Sequence, residues 1–264
     1  AHGTALSQLI LSGFGHTRRL LEHLHRGVDW DGCGVLQLAF NAKEAERRAQ
    51  WAGAFAPGLL HRLDQAQAQA RAGVALEHGG LFYPEGGWVH PPALCEWQAR
   101  HPLITVLTHH EALELQRVDG QWRALAGDTL LASASVVVLA NAAQIKHFAF
   151  SADLPLKRIR GQITRLAQTP ASQALATVVC AEGYVAPARL GEHTLGASFD
   201  FKSDDLTPTV AEHVGNLDML REISVDLLHR LGADHLAGED LQGRAAFRCT
   251  SPDYLPIVGP LADR

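Results

Sequence analysis

The chain has 264 residues, 47% of them hydrophobic, and a formal net charge of −5 at pH 7 with a pI near 6.3; this is enough to bury a substantial core in one large or two smaller domains. The acidic balance excludes a generic nucleic-acid binder, which needs a basic surface, and no apolar run approaches the roughly 20 residues that span a bilayer. Four scattered cysteines, Cys33, Cys95, Cys180 and Cys249, make no C-x-x-C pair; with no signal-peptide pattern, a reduced, cytoplasmic setting is expected.

Small residues and no initiating methionine lead from Ala1 straight into a helix, as they would inside a longer polypeptide. Thr4 or Ser7 can cap that helix, and Leu6, Leu9, Ile10, Phe14, Leu20, Leu21 and Leu24 recur at helical spacing to about His25. After Asp29-Trp30-Asp31-Gly32, residues Gly34 to Phe40 alternate as a strand, and Asn41 caps a helix from Ala42 to about Ala54. Gln65 to Ala72 has strong helix propensity and ends at Gly73. Val74 to Leu76 then begins a strand that runs into Gly79-Gly-Leu-Phe-Tyr-Pro-Glu-Gly-Gly-Trp-Val-His-Pro-Pro. Glycines and prolines around Phe82, Tyr83 and Trp88 describe a backbone turning sharply beside flat apolar surface. Such a loop either caps a core or beds a stacked ring. Pro91 or Pro92 opens the next helix, to about Arg100.

From Leu103 the pattern is β: Ile104 to Leu107, Ala112 to Val118, the turn Asp119-Gly120, and Gln121 to Ala126, a hairpin signal. Val136 to Ala140 is a continuous apolar run of the kind buried on both faces of a parallel sheet. It breaks at Asn141-Ala142-Ala143, where small residues let a ligand approach the strand's carboxyl end. Strands are expected over Leu156 to Ala167, Val178 to Pro187 and Leu195 to Ser198, the later ones in an antiparallel sheet. Thr207 or Thr209 then caps a long helix from about Val210 to Leu231. The basic run Lys157, Arg158, Arg160 and Arg165, whose even-spaced members would share one strand face, is either a solvated face or an RNA contact. Fifteen histidines show no metal-ligand spacing, neither H-E-x-x-H nor a Cys/His quartet, and no metal is expected.

The last stretch, Gly243 to Pro260, reads as a strand delivering Arg248 to a Thr250–Asp253 reversal. A short strand, Leu255 to Val258, then stops at Gly259. A guanidinium at a strand end beside a tight turn suits a planar anion; the plain alternative is a surface arginine on a β-turn.

Three segments, Val136 to Ala143, Tyr184-Val-Ala-Pro187 with Gly196-Ala197-Ser198, and Arg248 through Gly259, resemble the D-amino-acid-oxidase/glycine-oxidase-like FAD-dependent oxidoreductases. Gly80-Leu-Phe-Tyr-Pro-Glu-Gly-Gly-Trp, Arg160-Gly-Gln and Arg248-Cys-Thr-Ser-Pro-Asp-Tyr-Leu-Pro-Ile-Val-Gly are similar to the oxidase half of bifunctional tRNA wobble-uridine modification enzymes, along essentially the whole chain. The resemblance implies a mixed α/β fold, with an incomplete FAD-binding Rossmann-like domain interleaved with an antiparallel-sheet substrate domain. It implies oxidation of carboxymethylaminomethyl-(2-thio)uridine in tRNA to the aminomethyl form with release of glyoxylate. Methylation would belong to a separate S-adenosylmethionine-dependent methyltransferase domain of the same polypeptide. Arg248 and Tyr184 match positions that grip the substrate carboxylate, and no general base is nominated. Gly86, Gly87 and Trp88 are expected near the isoalloxazine, Ala140, Asn141 and Ala142 near the ribityl-phosphate side, and Gly259 in the closing cofactor segment.

The implied partition runs in five pieces. Residues 1–33 form a helical segment bordering the FAD domain, 34–78 and 143–242 belong to the substrate domain, and 79–142 and 243–264 belong to the FAD domain. Two departures from the family pattern stand out. There is no G-x-G-x-x-G for the FAD pyrophosphate, and no glycine-rich closing segment follows Arg264, so the chain is expected to be a fragment that is inactive and weak in FAD on its own. The competing readings are an oxidase of a free amino acid such as glycine or sarcosine, and a non-catalytic module.

Overall fold

A computed structural model describes residues 4–52 and 55–261. The chain divides into two compact units, one of residues 1–100, 161–199 and 205–246 and the other of 101–160, 200–204 and 247–264.

In chain order the first unit opens with α1 (Ala5–Leu21), whose N-cap Thr4 accepts from the Ser7 N–H as its spacing predicts. Then come β1 (Trp30–Asp31), β2 (Val35–Leu38) and α2 (Ala42–Ala52), the last capped by Asn41 Oδ1, which accepts from the Glu44 N–H at 2.9 Å. The Gly53-Ala54 end expected for α2 lies outside the described residues. β3 (His61–Leu63) leads into α3 (Gln65–Ala72), which has a complete capping box. Asp64 accepts from the Gln67 N–H, the Gln67 side chain accepts from the Asp64 N–H, and Gly73 closes the helix at φ 76°. A Cβ there would stand 2.0 Å from the Ala174 carbonyl oxygen, so glycine serves both the left-handed turn and the close approach. β4 (Gly80–Tyr83), β5 (Trp88–Val89) and α4 (Pro91–Ala99) follow, with proline in the first turn of α4. Val74 to Leu76 forms no strand, and both Val74 and Leu76 are buried in the core.

The second unit contains a three-stranded antiparallel sheet, β6 (Glu114–Val118), β7 (Gln121–Ala126) and β8 (Thr129–Ala134), with Asp119-Gly120 turning β6 into β7 at positive φ. Phe148, Phe150 and Trp122 pack ring against ring beside it. Two expected strands are absent among the described residues. Ile104 to Leu107 and Val136 to Ala140 are irregular, with Val136 and Val138 71% and 81% exposed. A run apolar on both faces gains from being a strand only when both faces are covered.

β9 (Lys157–Ala167) begins the return, followed by β10 (Val178–Cys180), β11 (Tyr184–Val185) and β12 (Glu192–Gly196), then α5 (Val210–Ile223), α6 (Val225–Arg230) and β13 (Gln242–Thr250). They complete an eight-stranded mixed sheet in the order β13-β9-β12-β11-β10-β2-β4-β3. The run β9-β12-β11-β10 and the run β2-β4-β3 are antiparallel, and β10 beside β2 is parallel. One face carries Leu36, Leu38, Phe82, Val179, Val185 and Leu195 and packs on α5, α6 and the alanines of α3, all essentially solvent-free. Each such large side chain contributes about 1.5–3 kcal/mol of hydrophobic stabilisation.

The helix expected from Val210 to Leu231 is two helices. Ser224 leaves helical backbone, its Oγ accepts from the Leu227 N–H at 3.0 Å and donates to the Ala75 carbonyl at 2.7 Å. A serine that can cap a new helix outcompetes continuation of the old one when a distant carbonyl also takes its hydroxyl.

Candidate functional site

The register of the large sheet places a row of residues on the face opposite the helix-packed core. Leu81, Gln37, Cys180, Tyr184, Gly196 and Ile163 are direct partners from strand to strand, and directly paired residues point to the same side. Tyr184 stands in the middle of this row, half-buried. Burial pushes its phenol above the ordinary value of 10.0 and the neighbouring Cys180 adds to this, against the opposing effect of Arg244. At neutral pH Tyr184 is therefore an O–H donor. Cys180 is itself pushed up to about 11 by burial, so it is a thiol.

A buried polar clamp backs this face. The Gln162 side chain, with no exposed surface, donates to the Thr209 carbonyl at 2.9 Å and accepts from the Thr209 N–H at 2.8 Å. Asn216 Nδ2 donates to the Gln162 carbonyl and to Thr164 Oγ1, which pairs at 2.8 Å with His213 Nδ1. Strand β9 and the start of α5 are thus tied by side-chain amides. This is the structural role of the glutamine in Arg160-Gly161-Gln162.

Arg248 lies exposed near the end of β13. The turn after it is built as its composition predicts: Asp253 Oδ1 accepts from the Leu255 N–H at 3.1 Å and from Ser251 Oγ at 3.0 Å, which holds the Asp253 carboxyl below the ordinary value. Residues 255–258 are irregular and exposed, not the expected strand. Arg248 and Tyr184 belong to different compact units. Arg244, four residues before Arg248 on the same strand, lies in the unit of Tyr184 and is a residue the sequence reading missed. The even spacing of two arginines on one strand was the available signal.

The remaining candidates divide between the units. In the first, Gly86 and Gly87 form the turn between β4 and β5. A Cβ on Gly86 would stand 2.9 Å from Val35 Cγ2, and one on Gly87 1.9 Å from the Asp31 carbonyl oxygen. Packing against β1 and β2 thus accounts for both glycines. Beside them Trp88 Nε1 and His90 Nδ1 are buried with no hydrogen-bond partner among the described residues. In the second unit, Ala140, Asn141 and Ala142 lead into a short 3-10 turn over Ala142–His147, with Ala142 at φ 51°. Gly259 is open, with nothing within 4 Å of a Cβ built there.

The basic run does not make one charged face. Arg160 is 2% exposed, Arg158 pairs with Asp204 at 2.8 Å and covers the Phe247 ring, and Arg165 pairs with Glu192 at 3.1 Å. No three His, Cys, Asp or Glu side chains gather for a metal among the described residues, and no helix among them is long and apolar enough to cross a membrane.

The family model described as FAD dependent oxidoreductase matches residues 1–264. A Pseudomonas fluorescens protein named tRNA 5-methylaminomethyl-2-thiouridine biosynthesis bifunctional protein MnmC is 80% identical over 263 residues, covering all of this chain and 40% of that protein. A Pseudomonas savastanoi pv. phaseolicola protein of the same name is 72% identical with the same coverage. The chain thus spans 40% of the length of these relatives. Among solved structures it is similar to glycine oxidase from Bacillus cereus, with TM-score 0.78 and 16% identity over 99% of this chain and 74% of the other. It is also similar to L-proline dehydrogenase from P. horikoshii, with TM-score 0.70 and 15% identity over 99% and 72%. At such identities the likeness is one of fold.

Proposed function

The chain belongs to the FAD dependent oxidoreductase family, and from that premise we propose that it is part of the oxidase half of a longer tRNA-modifying protein. Its substrate would be a wobble uridine carrying a carboxymethylaminomethyl arm, a secondary amine one carbon from a carboxylate. The observation that carries this reading is Tyr184, a phenol kept protonated by burial on the sheet face opposite the helices, in a chain 70–80% identical to proteins named for tRNA 5-methylaminomethyl-2-thiouridine biosynthesis.

In this reading the residues bind and orient. Arg248 offers a planar fork that bonds a carboxylate bidentately, and Tyr184 adds a neutral donor. Fixing the carboxylate fixes the adjacent methylene, the carbon to be oxidised. Loss of a hydride from that carbon and of the amine proton leaves a C=N bond. Addition of water to it releases glyoxylate and the aminomethyl base.

FAD supplies the two-electron acceptor when bound. The fit of this chain to it is incomplete. Trp88 has an unfilled ring donor among the described residues, but Gly86 and Gly87 are closed off by Val35 and Asp31, and Gly259 lies open. No G-x-G-x-x-G occurs in the sequence, the motif whose strand-to-helix turn presents a row of N–H groups to a pyrophosphate. The residues present do not make the cradle by themselves, and it is assigned to the rest of the longer protein. Residues 79–142 and 243–264 are proposed to face the cofactor, residues 34–78 and 143–242 the substrate, and residues 1–33 to border the cofactor domain. The compact units cut the chain elsewhere, between 100 and 101, 160 and 161, 199 and 200, 204 and 205, and 246 and 247. The methyltransferase domain, with its S-adenosylmethionine, and the cytoplasmic location belong to the same proposal.

The test is glyoxylate release by the longer protein from tRNA bearing the modified uridine, against free glycine. Release from the tRNA with little from glycine is expected; the reverse preference would make it an amino-acid oxidase. Arg248→Ala should raise KM for the tRNA roughly 100-fold through loss of a bidentate ionic contact while flavin content holds, and an unchanged KM would refute the role of Arg248.

A further inference from the structure

A cavity of about 250 Å³ lies beside α2 on the same sheet face as Tyr184, lined by Gln37, Phe40, Arg47, Arg48, Trp51 and Cys180 among others. We infer that this cavity is a nucleotide subsite, taking one RNA base against Trp51 and Phe40 with its phosphate at Arg47. The inference rests on the tRNA reading above and names the part of that substrate which this segment grips.

Several observations converge on a flat, anionic occupant. Trp51 is 43% exposed, a large aromatic left at the surface of α2. The Arg47 guanidinium, one turn earlier, lies over one face of its ring, 5.2 Å from the centroid, so a base stacked on the opposite face has a cation within reach of its phosphate. The lining holds two guanidiniums, Arg47 and Arg48, against one carboxylate, Glu44, which they share at 3.4 and 2.9 Å. Arg48 is largely buried, its Nη1 donates to Gln37 Oε1 at 2.8 Å, and its Nε is buried with no acceptor among the described residues. A cavity wall with surplus positive charge and an unfilled donor favours an acceptor-rich ligand.

Position supplies the rest. Cys180 and Gln37 line the cavity and are direct row partners leading to Tyr184. At the usual strand spacing they stand roughly 5 and 10 Å from it. A C5 arm of four bonds, each about 1.5 Å, reaches roughly 5–6 Å, enough for a base in the cavity to bring its carboxylate to Tyr184. The arm therefore spans the one-strand step from Cys180, on the cavity wall, to Tyr184.

The experiment uses the longer, FAD-loaded protein and tRNA carrying the carboxymethylaminomethyl uridine. Trp51→Ala is expected to raise KM for that tRNA about 10-fold or more, the range of one lost base stack, with kcat and flavin content kept, and Trp51→Phe to restore most of the loss. Arg47→Gln, a change at a half-exposed surface position that leaves the core untouched, should lower the salt slope of anticodon stem-loop binding by about 0.7, one phosphate contact. If wild-type protein oxidises the tRNA and both variants match it in KM and salt slope, the subsite is overturned and the function stands. A fall in kcat or flavin content with KM unchanged overturns it too. If the wild-type protein releases no glyoxylate from that tRNA, the function reading falls and the subsite with it.

Discussion

Tyr184 shows how one position sets what a site can recognise. Burial and Cys180 hold its phenol protonated, so it can donate to a carboxylate without adding a negative charge beside it. In the longer protein, Tyr184→Phe is expected to raise KM for the carboxylate substrate about 10-fold or more, the loss of one hydrogen bond to a charged group. Equal KM values for the two proteins would remove Tyr184 from the site. His193 makes a separate prediction about stability. It is buried, with Nδ1 on the Ala186 carbonyl at 2.9 Å and Nε2 on Ser172 Oγ at 3.0 Å. Desolvation, opposed by the Ala186 bond, puts its pKa below the ordinary 6.5, and desolvation lowers His213 likewise. Below pH 6.5 the unfolded chain takes up protons that the folded chain refuses, so stability is full above that value and falls as pH drops toward the folded pKa. Thermal melts should therefore show a lower Tm at pH 5.5 than at pH 7.5, with a shallower slope in His193→Gln; pH-independent melts would contradict this.

At the scale of elements, the Gln162 clamp joins β9 to the start of α5. Gln162→Ala would leave the Thr209 N–H and carbonyl without the amide that pairs both, and is expected to cost about 2–4 kcal/mol, read as a lower denaturation midpoint. A change under about 0.5 kcal/mol, the scale of a neutral surface substitution, would mean water takes over the amide's bonds. The elements that local chemistry specifies were legible in the sequence: the Thr4 and Asn41 caps, the Gly73 stop, the Asp119-Gly120 hairpin and the Thr250–Asp253 reversal. Elements that depend on distant cover were not. Val136 to Ala140 has strand composition but stays irregular and exposed, and Ser224 splits a helix whose periodicity runs straight through it, because Ala75 takes its hydroxyl. The row that joins Gln37, Cys180 and Tyr184 could not be read at all, since strand register between remote segments leaves no local mark. Arg244 could have been found from its spacing to Arg248.

For the molecule as a whole, the apolar surface carries the expectation. Leu6, Leu9, Ile10 and Phe14, at helical spacing on α1, are 38–69% exposed, a stripe of the kind that meets another surface. Produced by itself, the chain should bind a hydrophobic dye strongly and purify without stoichiometric flavin. A yellow, dye-negative preparation would show that it holds its cofactor and covers its own surface. One last consequence comes from the parallel junction of β2 with β10. Parallel neighbours need a long crossover, and here about half of this chain is made between them. As the ribosome delivers the chain, β2 emerges with β4 soon beside it, while its other edge waits, unpaired, for β10. The face that carries Tyr184 is therefore assembled only once β10 has been made, and a nascent chain stalled before Val178 has no such face at all.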